Sequence, residues 1–302
     1  MASPRGIRVP VAYGLVALGA FCISFAAPLV KWIEMGPTQI GFFRTAIASV
    51  TLAILGAMVE LPGLRARGRD AVSGRSLMWA ALAGACFGGD LFVWHKSILV
   101  VGVGLSTLLA NTHIFWVACF SALLLGERLT LRFGLFVVVA LFGVGLLSIP
   151  STSDPSLYLT GIGLGLMTGL FYAGYYLCLR ESQRGERVLP PALNLAIASA
   201  VTALVLLALV FITGEGLTWP SGNDRWRLLA LGIGVHACGW VMISRGIPHV
   251  AAGPGSFILL LQTVLATVWG ILWLDESFGG RHIVGGVITL GAIFGATTSR
   301  RV

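Results

Sequence analysis

The sequence predicts an all-α polytopic membrane protein of ten transmembrane helices, arranged as two inverted five-helix repeats with both termini cytoplasmic. Three observations predict it. Hydrophobic residues make up 57% of the 302, charged residues only 11%, and mean hydropathy is +0.91, whereas soluble domains average roughly 25% charged residues. The same layout occurs twice at a shift of 149 positions: Gly14 meets Gly163, Lys31 meets Arg180, Lys96 meets Arg245, Gly104 meets Gly253 and Glu127 meets Glu276. The basic side chains are distributed one-sidedly. Five segments per copy is an odd number, so the second copy enters the membrane inverted.

A helix needs about 20 mostly apolar residues to cross a bilayer, and the segments follow from that length and from their punctuation. In the first repeat, residues 1–150, span one (11–30) follows Arg5 and Arg8 and ends at Lys31. Its apolar run is too long for a signal-peptide core. Span two (38–59) starts after Pro37, span three (77–95) ends at Lys96, span four (101–125) closes before Glu127, and span five (133–149) stops at Pro150. In the second repeat, residues 151–302, span six (158–179) lies between Pro155 and Arg180, and span seven (191–213) begins at the Pro190-Pro191 pair. Span eight (226–244) ends before Arg245, span nine (251–274) before Asp275, and span ten (283–298) before Arg300. Prolines at helix starts suit their missing N–H. Pro28 and Pro254 instead fall inside apolar runs, the latter between Gly253 and Gly255. Each removes a helical hydrogen bond there, so Pro28, Gly253, Pro254 and Gly255 are the expected hinges.

The net charge of +8 would suit nucleic acid, but its placement argues for topology. With the N-terminus inside, only Lys31, Lys96, Arg225, Arg227 and Arg281 fall outside, and Arg44 lies within a span. The remaining fourteen of the 20 Lys and Arg are cytoplasmic, as the positive-inside rule requires. Anionic lipid, not nucleic acid, is the expected partner of this surface. The five cysteines, Cys22, Cys86, Cys119, Cys178 and Cys238, sit in apolar runs without CxxC or nearby histidine spacing. They read as inert thiols, with no metal site and no cofactor. Glycine rows at helical spacing (Gly161, Gly165 and Gly169; Gly84 and Gly88; Gly291 and Gly295) predict close helix contacts. A monomer or weak homodimer is expected.

Polar groups at membrane depth are costly and mark a site by default. Counting 1.5 Å per residue, Asp90 lies about 20 Å into span three, just past the midplane, and Asn111 and His113 lie about 15–18 Å into span four. His236 falls about 15 Å into span eight and Gln262 about 17 Å into span nine. Tyr172 and Tyr176 occupy the middle to inner part of span six, where Tyr175 and Tyr176 cannot both face inward. Trp94 lies one turn above Asp90, and Trp240 one turn below His236 on the same helix face. Asp90, Trp94, Asn111, His113, Tyr172, Tyr176, His236, Trp240 and Gln262 are therefore the expected lining of a central cavity. Arg44, about 9 Å below the outer surface, is expected at its mouth. Spans five and ten carry no such group.

With these residues placed, the chain resembles the drug/metabolite transporter superfamily, in its ten-helix EamA branch. The likeness rests on the doubled layout, on the first-span ending Ser24-Phe-Ala-Ala-Pro-Leu-Val-Lys31, and on two "l-l-G-E" endings. These are Leu124-Leu125-Gly126-Glu127 and Leu272-Trp273-Leu274-Asp275-Glu276, the second followed by Gly285. Phe136 stands where the first copy would have that glycine, and Phe115 where span four would have a proline. Within the branch, Asp90, Asn111, Tyr172 and Trp240 are similar to the bacterial aromatic amino acid exporter group. The resemblance implies export of a small amphipathic metabolite, neutral or aromatic amino acids first, across the inner membrane. Proton coupling through Asp90 and His236 is one expectation, and a broad drug or metabolite exporter is the competing one. An aspartyl intramembrane enzyme would need a second deep carboxylate, and no span supplies one. The deep polar groups break the repeat: Asp90 pairs with Gly239, Asn111 with Leu260, Tyr172 with Ile23 and His236 with Phe87.

Overall fold

The computed structural model describes residues 9–68, 71–125, 131–147, 154–246, 249, 252–276 and 279–299. Among them every regular element is helical. Span one is two helices, α1 (Val9–Ser24) and α2 (Ala26–Trp32), followed by α3 (Pro37–Val59), a short α4 (Leu61–Ala66) in the predicted link, and α5 (Gly74–Val101). Span four is likewise divided into α6 (Val103–Ala110) and α7 (His113–Leu125), followed by α8 (Leu131–Leu147), α9 (Pro155–Ser182) and α10 (Pro191–Ile212). Span eight is composite: α11 (Gly222–Leu229), a π-helical segment (Ala230–Cys238) and α12 (Gly239–Gly246). Then come α13 (Ala252–Leu274) and α14 (Gly280–Ser299). The expected hinge residues Gly253, Pro254 and Gly255 form the first turn of α13. Glu127, and with it the end of the first "l-l-G-E" motif, lies outside the described residues.

Six helical stretches among the described residues are long and apolar enough to cross a membrane: Val9–Trp32, Pro37–Val59, Gly74–Val101, Pro155–Ser182, Pro191–Ile212 and Gly222–Gly246. Four further apolar helices are shorter: Val103–Val117, Leu131–Leu146, Leu261–Leu274 and Gly280–Gly295. Their outward faces carry large apolar side chains in the open, Met58, Leu131, Phe142 and Val287 among them. Lipid rather than water suits such a surface.

Small residues set the packing. α5 runs along α9, α10 packs against both α3 and α5, and α1 lies against α12 and α13. A side chain added at Gly84 would meet the Ala198 carbonyl of α10, and one at Gly88 would meet Val205. Additions at Gly161, Gly165 and Gly169 would meet Val100, Leu109 and Thr112. The two rows thus press α5 onto α10, and α9 onto α5 and the α6–α7 junction. Without water to drive helices together in lipid, such close backbone approach supplies the association energy. α8 and α14 pair with each other at the periphery.

Carboxylates at helix ends link the elements. Glu60, after α3, accepts from the Ala192 and Leu193 N–H groups at the start of α10 (3.0 and 3.1 Å). Glu215, after α10, in turn accepts from Thr38 N–H (3.0 Å) and the Thr38 hydroxyl at the start of α3. Glu276, after α13, accepts from Val103 N–H (2.6 Å) and Gly104 N–H (3.4 Å) at the start of α6. Each meets the free N–H groups and positive dipole end of a helix start. Asp154 caps its own helix, α9, and the Leu157 N–H and Ser156 hydroxyl hold its carboxyl below the usual carboxylate range. The second "l-l-G-E" motif therefore has a physical task, the cap across α13 and α6. Glu276→Ala is expected to destabilise the protein by about 1 kcal/mol, the usual cost of a lost cap, with Glu276→Gln recovering part of it. Thermal melting in detergent measures both.

Candidate functional site

A cavity opens where the interrupted helices meet. It is lined by Ser24, Ala26 and Ala27 at the α1–α2 break, Arg44 of α3, Asp90 and Trp94 of α5, Asn111 and His113 at the α6–α7 break, Thr168 and Tyr172 of α9, Trp240 of α12, and Gln262 and Ala266 of α13. Its volume of about 90 Å³ holds a handful of waters, at roughly 10–15 Å³ each.

Both breaks follow from local chemistry. Pro28 has no N–H to give the Ser24 carbonyl four residues back, and the chain turns at Phe25, between α1 and α2. Span four has no proline. Three consecutive side chains compete with the backbone there instead. Asn111 Nδ2 donates to the Thr107 carbonyl (2.8 Å), Thr112 Oγ1 to the Leu109 carbonyl (2.7 Å), and His113 Nδ1 sits 3.2 Å from the Ala110 carbonyl. The Asn111 and Thr112 backbone N–H groups shift to three-residue turns onto Leu108 and Leu109 (3.1 and 3.0 Å). Short polar side chains that bond nearby carbonyls offer the backbone this alternative to the helix. Asn111 Nδ2 also reaches Thr263 Oγ1 of α13 at 2.5 Å, tying the break to the second half of the chain.

The walls combine charge with aromatic faces. Asp90 and Arg44 are 4% and 3% exposed. Asp90 Oδ1, Arg44 Nε and Trp94 Nε1 are buried without a hydrogen-bond partner in the protein. Arg44 lies over the Trp94 ring at 5.9 Å and contacts His95 Nε2 through Nη1 at 3.4 Å. His95 Nδ1 is 2.8 Å from the Pro37 carbonyl. A carbonyl only accepts, so Nδ1 carries the proton and Nε2 accepts from the guanidinium. Tyr172 meets His113 edge-on at 4.5 Å and faces Trp240 at 6.3 Å, and Phe87 approaches Trp240 at 6.2 Å.

Seven of the nine expected lining residues meet at this cavity: Asp90, Trp94, Asn111, His113, Tyr172, Trp240 and Gln262. Arg44, expected at the mouth, lies in the wall itself. Tyr176 does not reach the cavity. It is 49% exposed on the outer face of α9, while Tyr175, one residue round the helix, packs inward on Phe87 at 4.5 Å. His236 does not line it either, and bonds Ser199 of α10 through Nε2 at 3.1 Å. His236 and Trp240 do share a neighbour, with both rings packed on Phe87 at 5.5 and 6.2 Å. Ser199 holds the His236 ring toward α10 and off the cavity wall, while Trp240 stays in it. Sequence reasoning missed Ser24, Thr168 and His95. Helical spacing signalled two of them: Ser24 is four residues before Pro28, and Thr168 one turn before Tyr172. His95 was read as the end of span three, whereas α5 continues to Val101.

The family model described as "EamA-like transporter family" matches this chain twice, over residues 11–149 and 159–298. The chain is 25% identical over 291 residues to the pseudopaline exporter CntI of Pseudomonas aeruginosa (strain UCBPP-PA14), covering 95% of this chain and 96% of that one. It is 26% identical over 228 residues to the threonine/homoserine exporter RhtA of Salmonella typhimurium (strain LT2), covering 72% and 70%. A solved structure titled "Crystal structure of protein" superposes at a TM-score of 0.65 with 19% identity, over 97% of this chain and 100% of that one. That likeness is one of fold.

Proposed function

The chain belongs to the EamA-like transporter family, a family of transporters and not of enzymes, and from that premise we propose that it exports neutral or aromatic amino acids by alternating access. It is a multi-pass protein of the bacterial inner membrane, and its relatives are named as exporters of small molecules. The observation that carries the reading is the cavity at the helix breaks, which Asp90, with Oδ1 unpartnered, lines together with Tyr172 and Trp240. Asp90 receives the substrate's ammonium, and Tyr172 and Trp240 receive an apolar or aromatic side chain. Asn111, His113, Trp94 and Gln262 fill the remaining wall.

The working unit is ten spans in two inverted repeats, 1–150 and 151–302, with both termini cytoplasmic, acting as a monomer or weak homodimer. Support comes from the doubled family match, the cytoplasmic bias of arginine, and the exchange of caps between Glu60 and Glu215. The repeat-related residues Phe87 and His236 also touch, with ring centroids 5.5 Å apart, as residues beside a two-fold axis do. In this orientation Val30, Ile33, Ile98, Val103, Leu228 and Leu231 form an apolar plug on the outer side of the cavity. Opening it swings α2 about Phe25 and Pro28 against α13, with a second hinge at Gly253, Pro254 and Gly255. Asp90 takes up a proton as the site empties, which couples export to the proton gradient.

Counterflow in proteoliposomes tests the reading. Vesicles preloaded with threonine or phenylalanine are expected to accumulate the same labelled amino acid, and lipophilic cations to compete weakly. Exchange of the cations alone assigns the protein as a broad drug exporter and overturns the amino acid reading.

A further inference from the structure

We infer that Arg44 is the carboxylate receptor of the cavity and that His95 positions it, so that Arg44 and Asp90 together select amino-carboxylate zwitterions. The inference rests on the transport reading above. Arg44 lies in the cavity wall, and its guanidinium is only partly engaged: Nη1 meets His95 and Nε has no partner. A guanidinium presents its N–H groups as a rigid planar fork that fits a carboxylate through two parallel bonds. Asp90 lines the same cavity with Oδ1 unpartnered. Among the described ion pairs none joins Arg44 to Asp90. Two buried groups of opposite sign that line one small space without direct contact match the two ends of a zwitterion. A ligand of single charge leaves one of them uncompensated, which is costly at this depth.

His95 acts through Arg44. It is fully buried, it is not part of the cavity lining, and its ring is held between the Pro37 carbonyl at the start of α3 and the guanidinium. Trp94 closes the other side of the arginine. The fork is thereby aimed before substrate arrives, which lowers the cost of ordering it on binding.

The test is competition in the same counterflow assay, with full-length protein and labelled phenylalanine or threonine. The competitors are the unlabelled acid, its amide and its N-acetyl derivative. The parent protein is expected to prefer acid over amide by roughly ten- to a hundredfold, the range of a charge-assisted bond. Arg44→Gln is expected to abolish that preference, and Arg44→Lys to keep only part of it. His95→Ala should weaken the acid preference while leaving the preference for a free ammonium over its N-acetyl form intact, and His95→Gln should restore part of it. Equal competition by acid and amide in an actively exchanging parent overturns the inference and leaves the transport reading standing. So does a folded Arg44→Gln protein with parental acid preference. If that variant does not fold, parental preference in Arg44→Lys overturns it equally. A parent that exchanges neither amino acid overturns both readings.

Discussion

Asp90→Asn is expected to slow transport roughly ten- to a hundredfold while changing the stability of the protein little. The rate estimate follows from losing one charge-assisted bond between the carboxylate and the substrate ammonium. The stability expectation follows from the site. Asp90 is 4% exposed and its Oδ1 has no partner, so the substitution relieves the desolvation of a carboxylate, and this offsets the lost attraction to the buried Arg44. A group retained for structure would behave in the opposite way, with a lower melting temperature and normal transport per folded molecule. Initial rates in proteoliposomes, paired with thermal melting in detergent, separate the two. A destabilised but fully active Asp90→Asn protein would remove Asp90 from the binding site.

Gly84→Val is expected to cost at least about 1–3 kcal/mol, the range for overpacking a close-packed interior, and to deplete folded protein. The atom met by the new side chain is the Ala198 backbone carbonyl of α10, with Val201 Cβ close behind. Backbone cannot rotate aside as a side-chain end can, so α5 and α10 must separate. That seam also carries the Thr202 hydroxyl bond to the Gly84 carbonyl at 2.8 Å. Gly163→Val in α9 is the control. No atom lies within 4 Å of the added carbon there, so only the small difference in helix propensity remains. Melting curves for the pair test whether the glycine row acts by helix approach, and equal melting would reject that account.

Much of this architecture was legible in the chain because its causes are local. A run of about 20 apolar residues must satisfy its own backbone hydrogen bonds in lipid, and only a helix does so within one segment. A shared level was legible as well: Asp90, Asn111, Tyr172, Trp240 and Gln262, counted along five separate segments, meet at one cavity. Pro28 announced the first break through its missing donor. The second break was less readable. Asparagine, threonine and histidine stand in helices elsewhere, and whether Asn111 bonds Thr107 and Thr263 depends on where α13 lies.

Rotation about each helix axis was the other unreadable quantity. Tyr175 and Tyr176 differ only in the neighbours that claim them, and Phe87 takes Tyr175 inward. His236 and Trp240 both reach Phe87, yet Ser199 of α10 claims His236 and only Trp240 lines the cavity. Arg44 sat near a span end on depth alone, yet the described packing makes it buried. Gly232 lets the π segment approach the Arg44 carbonyl, and His95 and Trp94 hold the guanidinium.

By itself the sequence determined the helical class, the doubled layout and the common level at which most of the polar groups meet, because hydrophobic length and charge placement act along one segment at a time. Tertiary structure alone decided which of those groups face a common cavity, and that His95 stands behind Arg44. Facing is set by neighbouring helices. Without a hydrophobic force between helices in lipid, small-residue contacts and buried hydrogen bonds choose the rotation of each one.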